Sequence, residues 1–267
     1  MSDAADDNVA SSVRVALCQI LVLDGDREGN FVRIERALSR ASDAGADIAL
    51  LPESCILGWE NPDAHEHATT IPGTDSERLA DLARRFGLWI VVGLDEKDGD
   101  RLYDSAVVIN AQGQLIHKHR KIDVLPDLMS PPYSEGLASD LKLVATPWGR
   151  VGLVICADTL NDEFMTEVEQ LEPDLLLVPY GWAAPSDAWP GHAGSLVSVV
   201  TRRASQLECP VVGVNAVGVM THGPWTGYVY GGSSLAAHAD GSVVVRLADR
   251  DVDVQTVSLR VGTQASR

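Results

Sequence analysis

The sequence predicts an α/β protein built as a four-layer α-β-β-α sandwich, in which two mixed β-sheets pack face to face and helices cover the outside of each sheet. Helical and strand patterns alternate along the first part of the chain, which is typical of parallel strands joined by helices. Several strands are continuous apolar runs, as expected where both faces of a sheet are covered. Short turns join other strands, and such hairpins make the sheets mixed.

The first part of the chain carries the alternation of strands and helices. The predicted elements, in order, are a strand (13–20), a helix (29–44), a strand (48–52), a helix (75–86) and a strand (89–94). The first helix is indicated by Phe31, Ile34, Ala37 and Leu38, whose spacing places them on one face. Gly87 is expected to end the second helix, because glycine adopts the left-handed conformation of a helix C-terminus at little cost.

The remainder of the chain is richer in strands. The predicted elements are strands at 102–109, 115–122, 141–146 and 151–155, a helix at 163–171, a strand at 175–179, a helix at 195–207, and strands at 211–217, 233–238, 242–247 and 254–261. The segment from Asn110 to Gly113 predicts a tight turn between two antiparallel strands. No linker, low-complexity run or internal repeat divides the sequence after residue 12. We therefore expect residues 1–12 to be a flexible tail and residues 13–267 to be a single domain.

The composition excludes several classes of function. Lysine and arginine number 21 and aspartate and glutamate 38, and the resulting net charge of −17 repels the phosphates of a nucleic acid. No apolar run approaches the roughly 20 residues that a membrane helix needs. The first residues lack the basic-then-apolar pattern of a signal peptide, and the four cysteines lie far apart. We expect a cytoplasmic protein with free thiols that binds neither nucleic acid nor a membrane.

Three apolar segments end in a reactive polar residue, namely Glu53, Lys121 and Cys156. Functional groups gather at the carboxyl ends of strands in α/β proteins, so a carboxylate, an ammonium group and a thiol could meet in one cleft. Alternation along the second segment places His117, His119 and Lys121 on one face, which favours Lys121 as the inward-facing residue. A cysteine after an apolar strand is also common as an inert core residue, and the residues alone leave that alternative open.

Three motifs occur in order along the chain. They are Leu50-Leu-Pro-Glu53 followed by Gly58-Trp59, then His119-Arg120-Lys121 with histidine in an aromatic position, then Gly152-Leu-Val-Ile-Cys156-Ala-Asp158. Shorter motifs accompany them at Tyr133 to Gly136, Arg203-Ala204, Val211 to Asn215, Gly231 to Ser233 and Asp240-Gly241. With these motifs, about residues 12–260 of the sequence resemble the nitrilase superfamily of carbon–nitrogen hydrolases, in its amidase-like branch.

By this resemblance, Glu53, Lys121 and Cys156 look like a Glu-Lys-Cys catalytic triad. Glu53 would act as general base and acid, and Cys156 as the nucleophile that forms a thioester. Lys121 and the backbone N–H of Ala157 would be the oxyanion donors. The resemblance implies hydrolysis of a small-molecule amide to a carboxylic acid and ammonia or an amine, with no metal or organic cofactor. Members of the superfamily usually pair across a two-fold axis, so we expect a homodimer or a higher homo-oligomer.

Five residues near the motifs are candidates for substrate binding: Trp59, Tyr133, Glu135, Tyr180 and Trp182. Packing in the core or at an interface is the alternative role of each aromatic side chain. Many members of the superfamily carry a second glutamate between the lysine and the cysteine. Residues 123–133 contain no glutamate and Glu135 follows Tyr133 in a different register, so that role stays unassigned, with Glu135 as the nearest candidate.

The residues after Cys156 depart from the family's pattern. Leu160 stands where many amidases have arginine, Ala157-Asp158 stands where nitrilases have Trp-Glu, and two arginines typical of carbamoylases are absent. A small amide is therefore the expected substrate. The alternatives are an N-carbamoyl hydrolase or nitrilase of the same superfamily, and a non-catalytic binding or scaffold protein with a degenerate site.

A metallohydrolase is the rival class of enzyme, because the sequence contains two close histidine pairs. These pairs are His65-x-His67 and His117-x-His119. Neither pair has the spacing of a zinc motif, so we expect no metal site.

Overall fold

The computed structural model describes residues 11–262, apart from the side chain of Pro190. The helices within that range are α1 (Arg27–Asp43), α2 (Ala64–His67), α3 (Thr74–Phe86), α4 (Asp162–Gln170) and α5 (Trp189–Leu207). The strands are β1 (Ser11–Gln19), β2 (Ile48–Leu50), β3 (Trp89–Asp98), β4 (Arg101–Ile109), β5 (Leu115–Arg120), β6 (Val144–Thr146), β7 (Gly149–Leu153), β8 (Leu175–Tyr180), β9 (Ala183–Ala184), β10 (Val211–Asn215), β11 (Val217–Val219), β12 (Val229–Gly231), β13 (Leu235–Ala237), β14 (Val243–Arg246) and β15 (Asp253–Val261). Two 3-10 helices span Ala138–Asp140 and Cys156–Leu160.

The tail predicted at residues 1–12 overlaps the described residues only at Ser11 and Ser12. Residues 1–10 lie outside the described residues, whereas Ser11 and Ser12 form the start of β1.

Two six-stranded sheets form the centre of the fold. The first has the strand order β15-β1-β2-β3-β4-β5 and the second the order β6-β7-β8-β10-β13-β14. Read in these directions, both sheets pair their strands antiparallel, parallel, parallel, antiparallel and antiparallel. The prediction of two mixed sheets is therefore confirmed.

Each sheet has apolar side chains on both faces. Val13, Val15 and Leu17 of β1 belong to a core that the first sheet shares with the second. Ala16 of the same strand packs instead in a cluster with Phe31 and other side chains of α1 and α3. On the far side, α4 and α5 add their apolar faces to the core of the second sheet. The layers are therefore α1 with α3, first sheet, second sheet, and α4 with α5, which is the predicted four-layer fold.

Capping residues in the sequence explain where the helices begin and end. The Asp26 side chain accepts the Gly29 N–H at the start of α1, and Asn161 accepts the Phe164 N–H at the start of α4. Gly87 has a φ of 66° and ends α3, as predicted.

The short helix α2 and the two 3-10 helices were not predicted, and two larger parts of the fold also differ from the prediction. The helix expected at 195–207 begins earlier, at Trp189, whose ring is fully buried and packs so close to Gly231 that a Cβ there would lie 1.7 Å from it. Gly191 and Gly194 weaken the helical pattern at the start of α5, because glycine is a weak helix former, so the sequence does not indicate a helix there. The strands β11, β12 and β9 form a third, three-stranded sheet whose strands are too short to show a periodic pattern.

Candidate active site

Glu53 lies in the loop after β2, where the neighbouring backbone comes very close. A Cβ atom at Gly93 would lie 2.5 Å from the Cα of Glu53, so only glycine fits there. The Glu53 N–H donates to the carbonyl of Tyr180 at 3.3 Å, which links this loop of the first sheet to the end of β8 in the second. The buried side chain accepts a hydrogen bond from Lys121, with 2.5 Å between Oε1 and Nζ. The loop thus fixes the carboxylate against the lysine.

Lys121 follows β5 and extends into the same buried space. His117, His119 and Lys121 are buried, whereas Lys118 and Arg120 point to the other face and pair with a glutamate of β3. The inward orientation predicted for Lys121 is therefore confirmed.

A second carboxylate contacts this lysine. Asp104 of β4 is fully buried, and its Oδ2 lies 3.3 Å from Lys121 Nζ. Burial by itself would lower the pKa of Lys121, but the negative charges of Glu53 and Asp104 outweigh it and raise that pKa well above its ordinary range. The lysine is therefore held as an ammonium group, which is the form that stabilises a developing oxyanion.

Cys156 follows β7 after two intervening residues, at the start of the 3-10 helix Cys156–Leu160. Its φ of 41° is in the left-handed region, which non-glycine residues rarely adopt and which is often found at functional sites. Thr159 Oγ1 donates to the Cys156 carbonyl at 2.6 Å and stabilises the turn. Ala157, the proposed oxyanion donor, is the second residue of this helix, where backbone N–H groups precede the helix's own hydrogen bonds.

The thiol of Cys156 interacts with the other two members of the triad. The residue is 6% exposed. Burial is the main cause that raises the thiol pKa well above its ordinary value, and the charge and hydrogen bond of Glu53 raise it further. Lys121 and the backbone N–H of Gly181 act in the opposite direction. Burial and Glu53 therefore favour the protonated form of this thiol.

Asp158 joins the two loops that carry Lys121 and Cys156. Its carboxylate is fully buried and accepts four hydrogen bonds. The donors, all at 2.9 Å, are the N–H groups of Ile122, Asp123 and Ile155 and the Nε2 of His119. Burial would raise the pKa of Asp158, but these hydrogen bonds, that of His119 foremost, hold it below its ordinary value. Asp158 thus ties the lysine loop to the cysteine turn.

Three of the candidate substrate-binding aromatics lie around the triad. The centroid of the Trp59 ring is 5.0 Å from Lys121 Nζ. Tyr180 is fully buried and donates to Thr159 Oγ1 at 3.2 Å, and its ring packs edge-on against the half-buried Trp182 at 5.9 Å. Trp182 in turn stacks on His192 at 5.1 Å.

The other two candidates lie farther along the loop after Lys121. Tyr133 is buried, donates to Asp95 Oδ1 at 2.6 Å and accepts the N–H of Glu60 at 3.3 Å. Glu135 is exposed, whereas the side chains of the triad are buried, so the structure does not bring Glu135 together with them.

The sequence analysis missed two acids of this site, Asp104 and Glu60. Glu60 is 2% exposed, and its Oε2 has no hydrogen-bond partner among the described residues. Burial raises the pKa of Glu60 to about 8, against the lowering influence of Lys121. The available signals were an aspartate inside an apolar strand and a glutamate directly after Gly58-Trp59.

The described residues show neither a metal site nor a membrane-spanning helix. No group of three or more histidine, cysteine, aspartate and glutamate side chains is arranged to hold a metal ion in residues 11–262. In that same part of the chain, no helix has the length and apolar character needed to cross a membrane.

A family model places the chain among known proteins. Residues 14–266 match the model of the carbon–nitrogen hydrolase family, so the chain belongs to that family. The resemblance to the nitrilase superfamily is thereby confirmed.

Curated relatives include nitrilases and an amidase. Nitrilase 3 from Arabidopsis thaliana is 32% identical over 167 residues, which cover 55% of this chain and 48% of the relative. An omega-amidase from Bos taurus is 31% identical over 176 residues, covering 63% of each chain. The chain spans about half the length of the plant nitrilases that it matches.

Solved structures share the fold over nearly the whole chain. The protein XC1258 from Xanthomonas campestris, a CN-hydrolase superfamily member with an arsenic adduct in its active site, superposes with a TM-score of 0.80 at 23% identity, covering 95% of this chain and 91% of its own. A second structure is a mutant amidase from Nesterenkonia sp. AN1 in which the acetamide moiety of fluoroacetamide is covalently added at the active-site cysteine. It superposes with a TM-score of 0.79 at 21% identity, and the match covers 97% of this chain and 94% of the amidase chain. At these identities the likeness demonstrates the shared α-β-β-α fold.

Proposed function

We propose that the protein is a cysteine-dependent hydrolase of a non-peptide C–N bond, acting on a small-molecule amide through a thioester intermediate. One observation carries this proposal. Glu53 and Lys121, 68 residues apart in the chain, form a buried pair at 2.5 Å, and the Cys156 thiol lies within reach of both charges. A buried acid, ammonium group and thiol from three separate loops are the set that acyl transfer to sulfur needs.

The first half of the reaction forms the thioester. Glu53 takes the proton of Cys156 as the sulfur attacks the amide carbonyl, so a C–S bond forms and the carbonyl oxygen becomes negative. Lys121 and the N–H of Ala157 stabilise that oxygen. The protonated Glu53 then gives its proton to the nitrogen as the C–N bond breaks, and ammonia or an amine leaves.

The second half releases the acid and restores the enzyme. Glu53 takes a proton from water, which attacks the thioester carbonyl, and the same oxyanion donors act again. The C–S bond breaks, the sulfur recovers a proton from Glu53, and the carboxylic acid leaves.

Several observations favour an amide over other substrates. The omega-amidase from Bos taurus covers more of its own length in the comparison than the plant nitrilases do. The amidase from Nesterenkonia carries an acetamide moiety on its active-site cysteine. Ala157-Asp158 replaces the Trp-Glu expected after the cysteine of a nitrilase. The similarity to plant nitrilases makes nitrile hydrolysis the second candidate.

A substrate screen tests the proposal. Ammonia release from simple amides, N-carbamoyl amino acids and nitriles would be measured for the wild-type protein and for Cys156→Ala side by side. We expect the amides to be hydrolysed fastest, and only by the wild type. Equal rates for the two proteins on every substrate would leave the non-catalytic scaffold as the better description.

Two further properties are proposed with the activity. We propose a homodimer or a higher homo-oligomer, as usual in the superfamily, and light scattering after size exclusion would measure it directly. We also propose a cytoplasmic location, which is supported by four cysteines that are all buried free thiols, as expected in a reducing compartment.

A further inference from the structure

Asp104 lies beside the ion pair of Lys121 and Glu53, and no role has yet been given to it. This side chain is fully buried, and its Oδ2 lies 3.3 Å from Lys121 Nζ, compared with 2.5 Å for Glu53 Oε1. Its Oδ1 accepts a hydrogen bond from Ser54 Oγ at 3.4 Å. The main chain reinforces the contact, because the Lys121 N–H donates to the Asp104 carbonyl at 2.8 Å. The position of Asp104 beside the lysine is therefore fixed by both its side chain and its backbone.

The charges of this buried space do not balance if all its acids are ionised. Within residues 11–262, Lys121 is the one cation that contacts Glu53 and Asp104, so two carboxyl groups share a single positive charge. Among the described residues, the other titratable groups whose charges interact with that of Asp104 are acids: Glu60 in the loop after β2, Asp95 opposite it on β3, and Tyr133. A buried carboxylate without its own counter-charge takes up a proton rather than remaining ionised.

We propose that Asp104 holds a proton in the resting enzyme and thereby leaves Lys121 and Glu53 as a single ion pair, with Glu53 free to act as the base. The inference rests on the proposed function and makes Asp104 a positioning residue, because it acts through Lys121 and Glu53 rather than on the substrate. Asp104 rather than Glu53 carries the proton because Glu53 has the shorter contact with the ammonium group. In agreement, burial and the neighbouring Glu53 raise the pKa of Asp104 well above its ordinary value.

The protonation of Asp104 has a consequence at alkaline pH. When its proton is lost, a second negative charge faces Lys121, and the ammonium group is shared between two carboxylates. Its ability to stabilise the oxyanion falls, and the added charge opposes thiolate formation at Cys156. The rate is therefore expected to decline as pH rises through the titration of Asp104.

Asp104→Asn tests this directly, because asparagine has nearly the same shape and cannot ionise. The pH profile of kcat/KM would be measured for the wild type, Asp104→Asn and Asp95→Asn, the last being a buried acid opposite Asp104 with no contact to Lys121. We expect the alkaline limb of Asp104→Asn to move up by at least about one pH unit and that of Asp95→Asn to stay within about 0.3. An unmoved limb in Asp104→Asn, a limb that moves in Asp95→Asn instead, or a hundredfold loss at neutral pH in Asp104→Asn would overturn the proposal.

A second readout does not depend on the amide activity. The rate at which iodoacetamide alkylates Cys156 at alkaline pH reports the ease of forming the thiolate. We expect Asp104→Asn to react at least about threefold faster than the wild type, since one opposing charge is gone. An equal or slower rate would contradict the role of Asp104 even if the protein hydrolyses amides, and the expected rate would support it even if the substrate screen fails.

A second variant covers the case in which Asp104→Asn does not fold. Ser54→Ala removes the hydroxyl that hydrogen-bonds to Asp104 and favours its ionised form. In Ser54→Ala, the alkaline limb of the pH profile of kcat/KM should then move to higher pH, and so should the pH dependence of Cys156 alkylation. No movement, or movement to lower pH, would count against the proposal.

Discussion

Replacing Asp158 by asparagine should damage both stability and activity, although this residue is not one of the triad. Its two oxygens each accept two hydrogen bonds, from three backbone N–H groups and His119, all at 2.9 Å. An asparagine amide keeps one oxygen and turns the other acceptor into an NH₂ group that would face two donors. Asp158→Asn therefore loses two backbone hydrogen bonds if the NH₂ group replaces Oδ1, and in the other orientation it loses the bond from Ile155 while His119 keeps its contact only by changing tautomer.

The size of the effect follows from these bonds. A hydrogen bond to a charged group contributes about 1.5–3 kcal/mol, so the loss of one or two should lower the free energy of unfolding by about 1.5–6 kcal/mol. The bonds also join the loop after Lys121 to the turn of Cys156. A displacement of about 1 Å between catalytic groups can reduce the rate about 100-fold, and we expect a loss of that order in kcat.

Urea unfolding and turnover of the best amide would be measured in parallel for the wild type, Asp158→Asn and Asp127→Asn. Asp127 is exposed in the same loop region and serves as the matched control, which should differ from the wild type by less than about 0.5 kcal/mol. The reasoning is refuted if Asp158→Asn unfolds within about 1 kcal/mol of the wild type and retains a third or more of its turnover.

Variants at three other residues test separate features of the site. Cys156→Ala and Cys156→Ser should be nearly inactive in ammonia release, because the nucleophile is gone, and more than about a tenth of the wild-type activity in Cys156→Ala would end the triad assignment. Lys121→Ala should lower kcat by about 10²–10³ through loss of an oxyanion donor, and denaturant titration should find it about 3–5 kcal/mol less stable, since the buried carboxylate of Glu53 loses its counter-charge. Glu60→Gln tests a buried acid whose pKa is raised to about 8. Because the folded state holds this proton more tightly than the unfolded chain, the wild type should lose stability as pH rises from about 4 to about 8, and the loss should be smaller in Glu60→Gln; equal slopes of unfolding free energy against pH would contradict this.

The sequence predicts the fold well where a periodic pattern is long enough to be read. The period of two along β5 correctly places Lys121 inward, because each strand residue alternates between faces. By contrast, the third sheet is built from strands of two or three residues, which are too short for any period. The early start of α5 is missed because two glycines occupy its first turns while Trp189 anchors them by packing against Gly231.

The site is predicted only as far as its motifs extend. Glu53 and Cys156 each stand at the end of an apolar segment, and Lys121 follows a strand with alternating faces, so all three are marked in the sequence. Asp104 gains its importance from the register of β4 beside the end of β5, a contact that its local sequence does not reveal. Asp158 lies within the cysteine motif, but its partners come from the loop after Lys121 and are apparent only in three dimensions. Long-range pairing therefore accounts for what the sequence analysis missed.

The most direct test of the account is to trap the acyl-enzyme on the sulfur of Cys156. The wild-type protein would be mixed with its best amide, quenched in acid and digested, and the peptide that contains Cys156 would be weighed by mass spectrometry. We expect that peptide to carry the mass of the acyl group, to lose it on treatment with hydroxylamine, and to remain unmodified in Cys156→Ala. Turnover of the amide with no acyl group on this peptide, or with the group on another residue, would contradict the central claim that this thiol is the nucleophile.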